Sequence, residues 1–262
     1  MADLILLGTN GMIVIFTMTF VLGITIGSFL NVCIFRIPLK EDIAVERSHC
    51  MHCGHVLKWY ELIPLFSFLI QGGKCRSCKK KISIQYPLVE ATNGILWVLI
   101  LIANGLQWHT ILYCLAASCL IVIAVIDART MEIPFGCNVF LFCLGVVRLV
   151  LDYPHWYEYV IGFFAVSFFF WLIIVISKGK AMGGGDVKLM AAAGILLGWK
   201  GILFALVAGC IVGSVIHFGR LFTKKKREPM PIGQYLAVGI CMAFIIGETF
   251  INWYISYLNM PV

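Results

Sequence analysis

The sequence predicts an all-α polytopic membrane protein of about eight transmembrane helices, with a small cytoplasmic zinc-binding domain between the first and the second. Three observations predict it. Hydrophobic residues fill 61% of the 262 positions and charged residues only 13%, and the mean hydropathy is +0.97, more than a soluble core needs. The apolar residues gather into runs near the roughly 20 residues that a helix needs to cross a hydrocarbon core. Finally, the one sizeable polar stretch carries two Cys-x-x-Cys pairs.

Taken in order, spans are expected at 11–35, 88–106, 110–127, 134–151, 157–177, 187–199, 201–222 and 231–258. The sixth is short, and is expected to tilt or to be sheltered by its neighbours. The first ten residues hold no Lys or Arg and no small-residue cleavage site follows the first run, so that helix is expected to be retained. The chain then divides into a first transmembrane helix (1–35), a cytoplasmic zinc-binding segment (36–86) and a transmembrane domain (87–262). Trp108, Trp156, Tyr157 and Trp253 fall near span ends, where aromatic rings anchor helices at the interface.

A net charge of +7 could point to nucleic acid, but the distribution of the charge points to a lipid bilayer as the partner. Nine Lys and Arg lie between Arg36 and Lys81, followed by Arg129, by Lys178, Lys180 and Lys188, and by Arg220 with the run Lys224 to Arg227. Only Arg148 and Lys200 fall in the alternate loops. The positive-inside rule therefore puts both termini outside and the polar segment in the cytoplasm, and no nucleic-acid partner is expected.

Within that segment, Cys50 and Cys53 are separated from Cys75 and Cys78 by 21 residues. Two such pairs suit one tetrahedral zinc, each pair contributing a knuckle of two thiolates. A reducing compartment argues against disulfides, and metal binding would help so small a segment fold. His49, His52 and His55 crowd the first pair and could substitute as ligands, though they read better as surface residues. The other seven cysteines, Cys33, Cys114 and Cys210 among them, sit mainly in apolar runs and read as small hydrophobes.

The chemistry centres on Ala181 to Met190, AMGGGDVKLM, where three glycines lead Asp186 into an apolar run. A carboxylate near mid-bilayer costs about 2.5 to 3.5 kcal/mol on insertion scales, so it needs a wet cavity or a partner. Glycines without a Cβ allow another backbone to approach, which fits a peptide substrate. Alone, Asp186 could be a helix cap. Asp127 supplies the second observation, closing the third span in IVIAVIDARTMEIP. It too could be an ordinary helix-end acid. Two crossings separate the acids and return the chain to the side it left, so the two can meet.

Two close carboxylates share a proton. One can then take a proton from the water that attacks a peptide carbonyl, while the other donates first to the carbonyl oxygen and then to the leaving amine. No Ser/His/Asp order or HExxH motif stands out elsewhere. Lys188 reads as a snorkelling lysine, and Glu90 as an acid favoured by the dipole at the start of the second span.

These residues resemble the type IV prepilin peptidases. The likeness runs through GSFLNVCIFRIP at 27–38, the cysteine pairs in HCMHCGHVLKWYELIP and GGKCRSCKKKISIQYPLVE, IDARTMEIP at 126–134 and GGGDVKLMAAAGILLGW at 183–199. PIGQYLAVG near the C-terminus is similar to a PFGPFLA-type segment, from which Gln234 and Tyr235 depart. The resemblance implies an aspartyl protease of the bacterial cytoplasmic membrane. Such an enzyme removes the short basic leader of prepilins and pilin-like proteins after a glycine, on the cytoplasmic side. Asp127 and Asp186 match its catalytic aspartates. It also implies N-methylation of the new N-terminus with S-adenosylmethionine, an activity linked to the cysteine segment, although no residue can be assigned to the methyl donor. Glu132 and Glu90 are expected to offset the repulsion between a basic leader and a basic face. Two alternatives are a general GxGD intramembrane protease, against which the cysteine segment and GSFLNVCIFRIP argue, and a proton- or cation-coupled transporter using the same two acids, for which no inverted repeat is apparent.

Overall fold

A computed structural model describes residues 8–43, 47–180, 182–221 and 231–258 and places most of them in helices, with no strand among the described residues beyond two isolated bridges. Met1 to Leu7, Ala181 and the basic run Lys224 to Arg227 lie outside the described residues. The chain forms two units, Met1–Thr110 and Ile111–Val262.

The first unit is built on α1 (Gly8–Leu39) and α3 (Gln85–Asn104), with the short α2 (Phe66–Ile70) in the polar segment between them. The long helices touch backbone to backbone. A Cβ on Gly23 would stand 2.8 Å from the Gly94 Cα, and one on Gly27 would stand 2.7 Å from the Glu90 Cα. Small residues four apart permit this approach, the usual solution where lipid gives no hydrophobic push between helices. Asn93 then donates from Nδ2 to the Gly23 carbonyl at 2.7 Å, and Asn31 to the Tyr86 carbonyl at 3.2 Å.

The second unit comprises α4 (Trp108–Thr130), which begins at the end of the first, then α5 (Phe135–Leu151), α6 (Trp156–Ala165), α7 (Ser167–Ser177), α8 (Gly184–Leu221), α9 (Ile232–Met242) and α10 (Glu248–Leu258). A π-helical stretch, Ala243–Gly247, joins the last two. α8 lies at the centre and meets glycines of three neighbours: Ile195 packs on Gly145 of α5, Gly194 on Gly162 of α6, and Ala205 and Gly209 on Gly239 of α9. Ala116, Ile123, Leu196, Ile202 and Ala205 are sealed from solvent.

α8 is not one rod. Gly198 has φ 73° and ψ 172°, a conformation that only glycine adopts without strain. Beyond it, Gly209 and Gly213 pack on Tyr235. Asp186, at the start of α8, shares a cavity with Asp127, whose carboxyl meets Gln234. A straight helix would hold Gly213 about 40 Å from Asp186, so the chain reverses at Gly198. Glu158 and Lys200 form an ion pair of 3.7 Å beside the reversal. Arg148, the other basic residue expected away from the main basic face, donates from Nε to the Tyr159 hydroxyl at 3.1 Å.

Six helical stretches among the described residues are long and apolar enough to cross a membrane: Gly8–Leu39, Gln85–Asn104, Trp108–Thr130, Tyr153–Ser177, Gly184–Phe218 and Ile232–Leu258. The expectation of about eight is corrected for two reasons. The run at 134–151 yields a helix of 17 residues, about 25 Å long against a core of about 30 Å. The runs at 187–199 and 201–222 fall within the one stretch Gly184–Phe218, whose two helical arms meet at the non-helical Gly198, and the first arm, about 20 Å long, is too short to cross by itself.

Candidate active site

Asp127 lies one turn from the end of α4 and is only 4% exposed. The helix closes when the Met131 amide donates to the Asp127 carbonyl at 2.9 Å, with Met131 at φ 57° in the left-handed cap conformation. The chain then runs through Glu132 and Ile133 to Pro134, whose extended backbone starts α5. From the other side comes the start of α9. Its Gln234 amide donates to the Asp127 Oδ2 at 3.0 Å, so the carboxylate sits at a helix N-terminus, where amide hydrogens and the dipole favour negative charge. Gly233 makes room for it. A Cβ there would stand 2.9 Å from Oδ2, 3.0 Å from Cγ and 3.0 Å from the Ile133 Cδ1.

Asp186 enters through Gly183, Gly184 and Gly185. None of the three has a positive φ, so what they supply is absence of side-chain volume rather than an unusual backbone conformation. A Cβ on Gly184 would meet nothing within 4 Å, whereas one on Gly185 would stand 3.1 Å from the Ile133 Cβ. Asp186 occupies the first turn of α8, is 8% exposed, and donates its amide to the Gly183 carbonyl at 3.3 Å.

The two acids line one cavity of about 340 Å³, together with the three glycines, Met131, Glu132, Ile133, Phe135, Asn138 and Lys188. Lys188 turns its ammonium to the Phe135 ring, 5.3 Å from the centroid, a cation–π contact within the cavity wall. Glu132 lines the cavity as well, whereas Glu90 belongs to the first unit and accepts the Leu65 amide at 2.8 Å. Two parts of the site carried no expectation: the α9 backbone at Gly233 and Gln234, and Asn138. A carboxamide inside FGCNVFLFCLGVV was a readable signal, since polar groups within spans are costly.

In the first unit the two cysteine pairs fold into matching knuckles. The Cys50 amide donates to the His55 carbonyl and the Cys75 amide to the Lys80 carbonyl, both at 2.9 Å; Gly54 and Lys79 return their amides to the Cys50 and Cys75 carbonyls, also at 2.9 Å. Bridges His49 to Val56 and Lys74 to Lys81 close the loops in the same register. All four sulfurs lie within 4.8 Å of one another, with Cys50 to Cys78 at 3.9 Å and Cys53 to Cys75 at 4.0 Å. Tetrahedral zinc with Zn–S bonds of about 2.3 Å requires sulfurs about 3.8 Å apart, so the cluster fits a metal of that kind. The amide of His52, more than any other group, pulls the Cys50 thiol down to about 7, toward the thiolate that binds metal. Two of the three histidines are turned elsewhere: His55 pairs with Glu61 at 3.3 Å and His49 faces the Arg47 carbonyl at 3.3 Å.

Residues 21–104 match the bacterial peptidase A24 N-terminal domain, and residues 114–218 match the type IV leader peptidase family. The cysteines fall in the first match and both acids in the second. A protein of Bacillus subtilis named prepilin leader peptidase/N-methyltransferase is 34% identical over 240 residues, covering 90% of this chain and 96% of its own length. Proteins of the same name are 33% identical in Xanthomonas campestris, covering 91% and 94%, and 29% identical in Aeromonas hydrophila, covering 92% and 94%. No solved structure matches the chain.

Proposed function

The chain belongs to the type IV leader peptidase family, and on that premise we propose that it cleaves prepilins and pilin-like proteins after the glycine that ends their basic leader and then N-methylates the new terminus. It is a multi-pass inner-membrane enzyme. The cavity end of the second unit faces the cytoplasm, in keeping with the placement of the basic residues along the sequence.

The observation that carries this reading is the single cavity lined by Asp127 and Asp186, both buried. Asp127, held by the Gln234 amide, carries the negative charge and acts as the base. It takes a proton from water as the water oxygen attacks the scissile carbonyl, and Asp186 gives its proton to the carbonyl oxygen. On collapse of the tetrahedral intermediate, the proton on Asp127 passes to the leaving amine while the former carbonyl oxygen returns its proton to Asp186, so both acids regain their starting states; because Asp186 has one proton to give, the amine's donor is Asp127 and not the acid that protonated the oxygen. Glu132, in the cavity wall, offers a basic leader a counter-charge; Glu90, committed to Leu65, is left out of that role. Cys50, Cys53, Cys75 and Cys78 hold a structural zinc that ties the two knuckles together. S-adenosylmethionine supplies the methyl group.

Mass spectrometry of a prepilin incubated with purified enzyme and S-adenosylmethionine in detergent tests the reading. Loss of a leader ending in glycine, absent in Asp127→Asn and Asp186→Asn, is expected, with one methyl mass on the mature chain. Cleavage surviving in either variant removes that acid from the mechanism. No cleavage by folded wild-type protein refutes the peptidase reading and returns weight to transport.

A further inference from the structure

One side chain in the cavity wall has no role in the chemistry just described. Asn138, on the first turn of α5, is 5% exposed, and neither its Nδ2 nor its Oδ1 has a hydrogen-bond partner. A buried carboxamide left open is destabilising, and such groups are rare in native proteins without a reason. Asn138 lines the same cavity as both acids, and its donor and acceptor, closed to solvent at rest, lie in the wall of the space that substrate must enter, where a small turn of the side chain would present them.

We propose that Asn138 is a substrate-positioning residue whose carboxamide pairs with the peptide backbone beside the scissile bond, Nδ2 donating to a carbonyl and Oδ1 accepting an amide hydrogen. The inference rests on the peptidase reading above. A carboxamide presents one donor face and one acceptor in a single plane, which is the complement of a peptide strand's own N–H and C=O. The substrate needs such a partner. To reach two acids in a narrow cavity, its helix must unwind at the cleavage point, and unpaired backbone groups at a membrane edge are costly until something satisfies them. Lys188, the other long polar side chain named in the wall beside Glu132, already rests on Phe135. The bonds Asn138 lacks at rest are those an extended peptide supplies, and making both at once fixes which carbonyl faces Asp127 and Asp186.

Stability and catalysis should move in opposite directions on substitution. Asn138→Leu keeps the branching and heavy-atom count of the side chain, with bulkier methyl ends, and removes an unsatisfied amide, so Tm is expected to stay level or rise where the wall accepts the methyls. Cleavage of prepilin is expected to lose about 10- to 100-fold in kcat/KM, chiefly through KM, because the lost bonds serve ground state and transition state alike. Asn138→Ala, which adds no branched side chain, should show the same KM effect should the leucine fit poorly. Folded Asn138→Leu with KM and kcat like those of wild type overturns the inference and leaves the peptidase reading standing. A fall in Tm in both variants with KM unchanged assigns Asn138 to the scaffold and overturns it as well. Failure of wild-type protein to cleave prepilin removes reading and inference together.

Discussion

Gly233→Ala tests how Asp127 is held without touching an ionisable group. The new methyl would arrive 2.9 Å from the Asp127 Oδ2, 3.0 Å from its Cγ and 3.0 Å from the Ile133 Cδ1, where ordinary contact begins at 3.4 Å. The carboxyl is the free end of a short side chain, so it yields by about 0.5 Å, and its 3.0 Å bond from the Gln234 amide stretches to about 3.5 Å, beyond useful hydrogen-bond length. Misplacing a reacting group by 1 Å can cost about 100-fold, so half that displacement is expected to lower kcat about 10-fold. Crowding of this kind destabilises by about 1 kcal/mol, the low end for overpacking, because the clash is relieved by a side-chain terminus. The assay is initial cleavage rate against prepilin concentration in detergent, with thermal unfolding measured in parallel. Gly213→Ala is the control: its methyl would meet the Tyr235 ring at 3.3 and 3.4 Å and its Cβ at 3.5 Å, with neither acid among its nearest neighbours, and kcat should hold. Wild-type kcat in a folded Gly233→Ala protein would refute the idea that this glycine seats the carboxylate.

Cys50→Ser or Cys75→Ser should take bound zinc from about one per chain to near zero, because structural sites need all four ligands, as read by metal analysis of purified protein; full occupancy would mean the ligands are others. Gly27→Leu would drive a side chain into the Glu90 Cα, 2.7 Å from the Cβ position, and backbone cannot rotate aside. A loss of at least about 1 to 3 kcal/mol is expected, and an unchanged Tm would contradict the close helix contact. The Lys58 amide, helped by His55, holds the Glu61 carboxyl below its ordinary value. Its contribution to stability is therefore complete above the usual carboxylate range and disappears as pH falls through the lowered value. Glu61→Gln should flatten the acid limb of the stability profile, and a limb identical to wild type would count against that ion.

The parts of the site that were legible in the sequence are those whose cost or spacing is local. A knuckle is closed within six residues, so each Cys-x-x-Cys pair announces its own geometry, and the 21 intervening residues need only bring the two together. Asp127 and Asp186 were legible only as a pair, since each alone could cap or end a helix, and the two crossings between them are what bring two costly acids to one side. Asn138 was passed over because a carboxamide costs less and can often bond to its own helix. Gln234 could not be singled out, since what it gives Asp127 is a main-chain amide; its departure from the PFGPFLA-type pattern replaces proline, the one residue without that donor. The interruption between 199 and 201 matched the bend at Gly198, but run lengths do not say how deep each arm reaches. The side of the membrane on which the cavity opens is likewise a matter of charge placement, since a bundle of apolar helices fits a bilayer either way up.

Ile133 touches the approach to both acids at once: its Cβ lies against Gly185, beside Asp186, and its Cδ1 against Gly233, beside the Asp127 carboxyl. One aliphatic side chain thus works as a gauge block between two strands of backbone that share no covalent link nearer than dozens of residues. The gap between the acids is then calibrated by hydrocarbon volume, a quantity indifferent to pH and salt. Trimming that block by one methyl, as in Ile133→Val, alters the calibration with every ionisable group left in place.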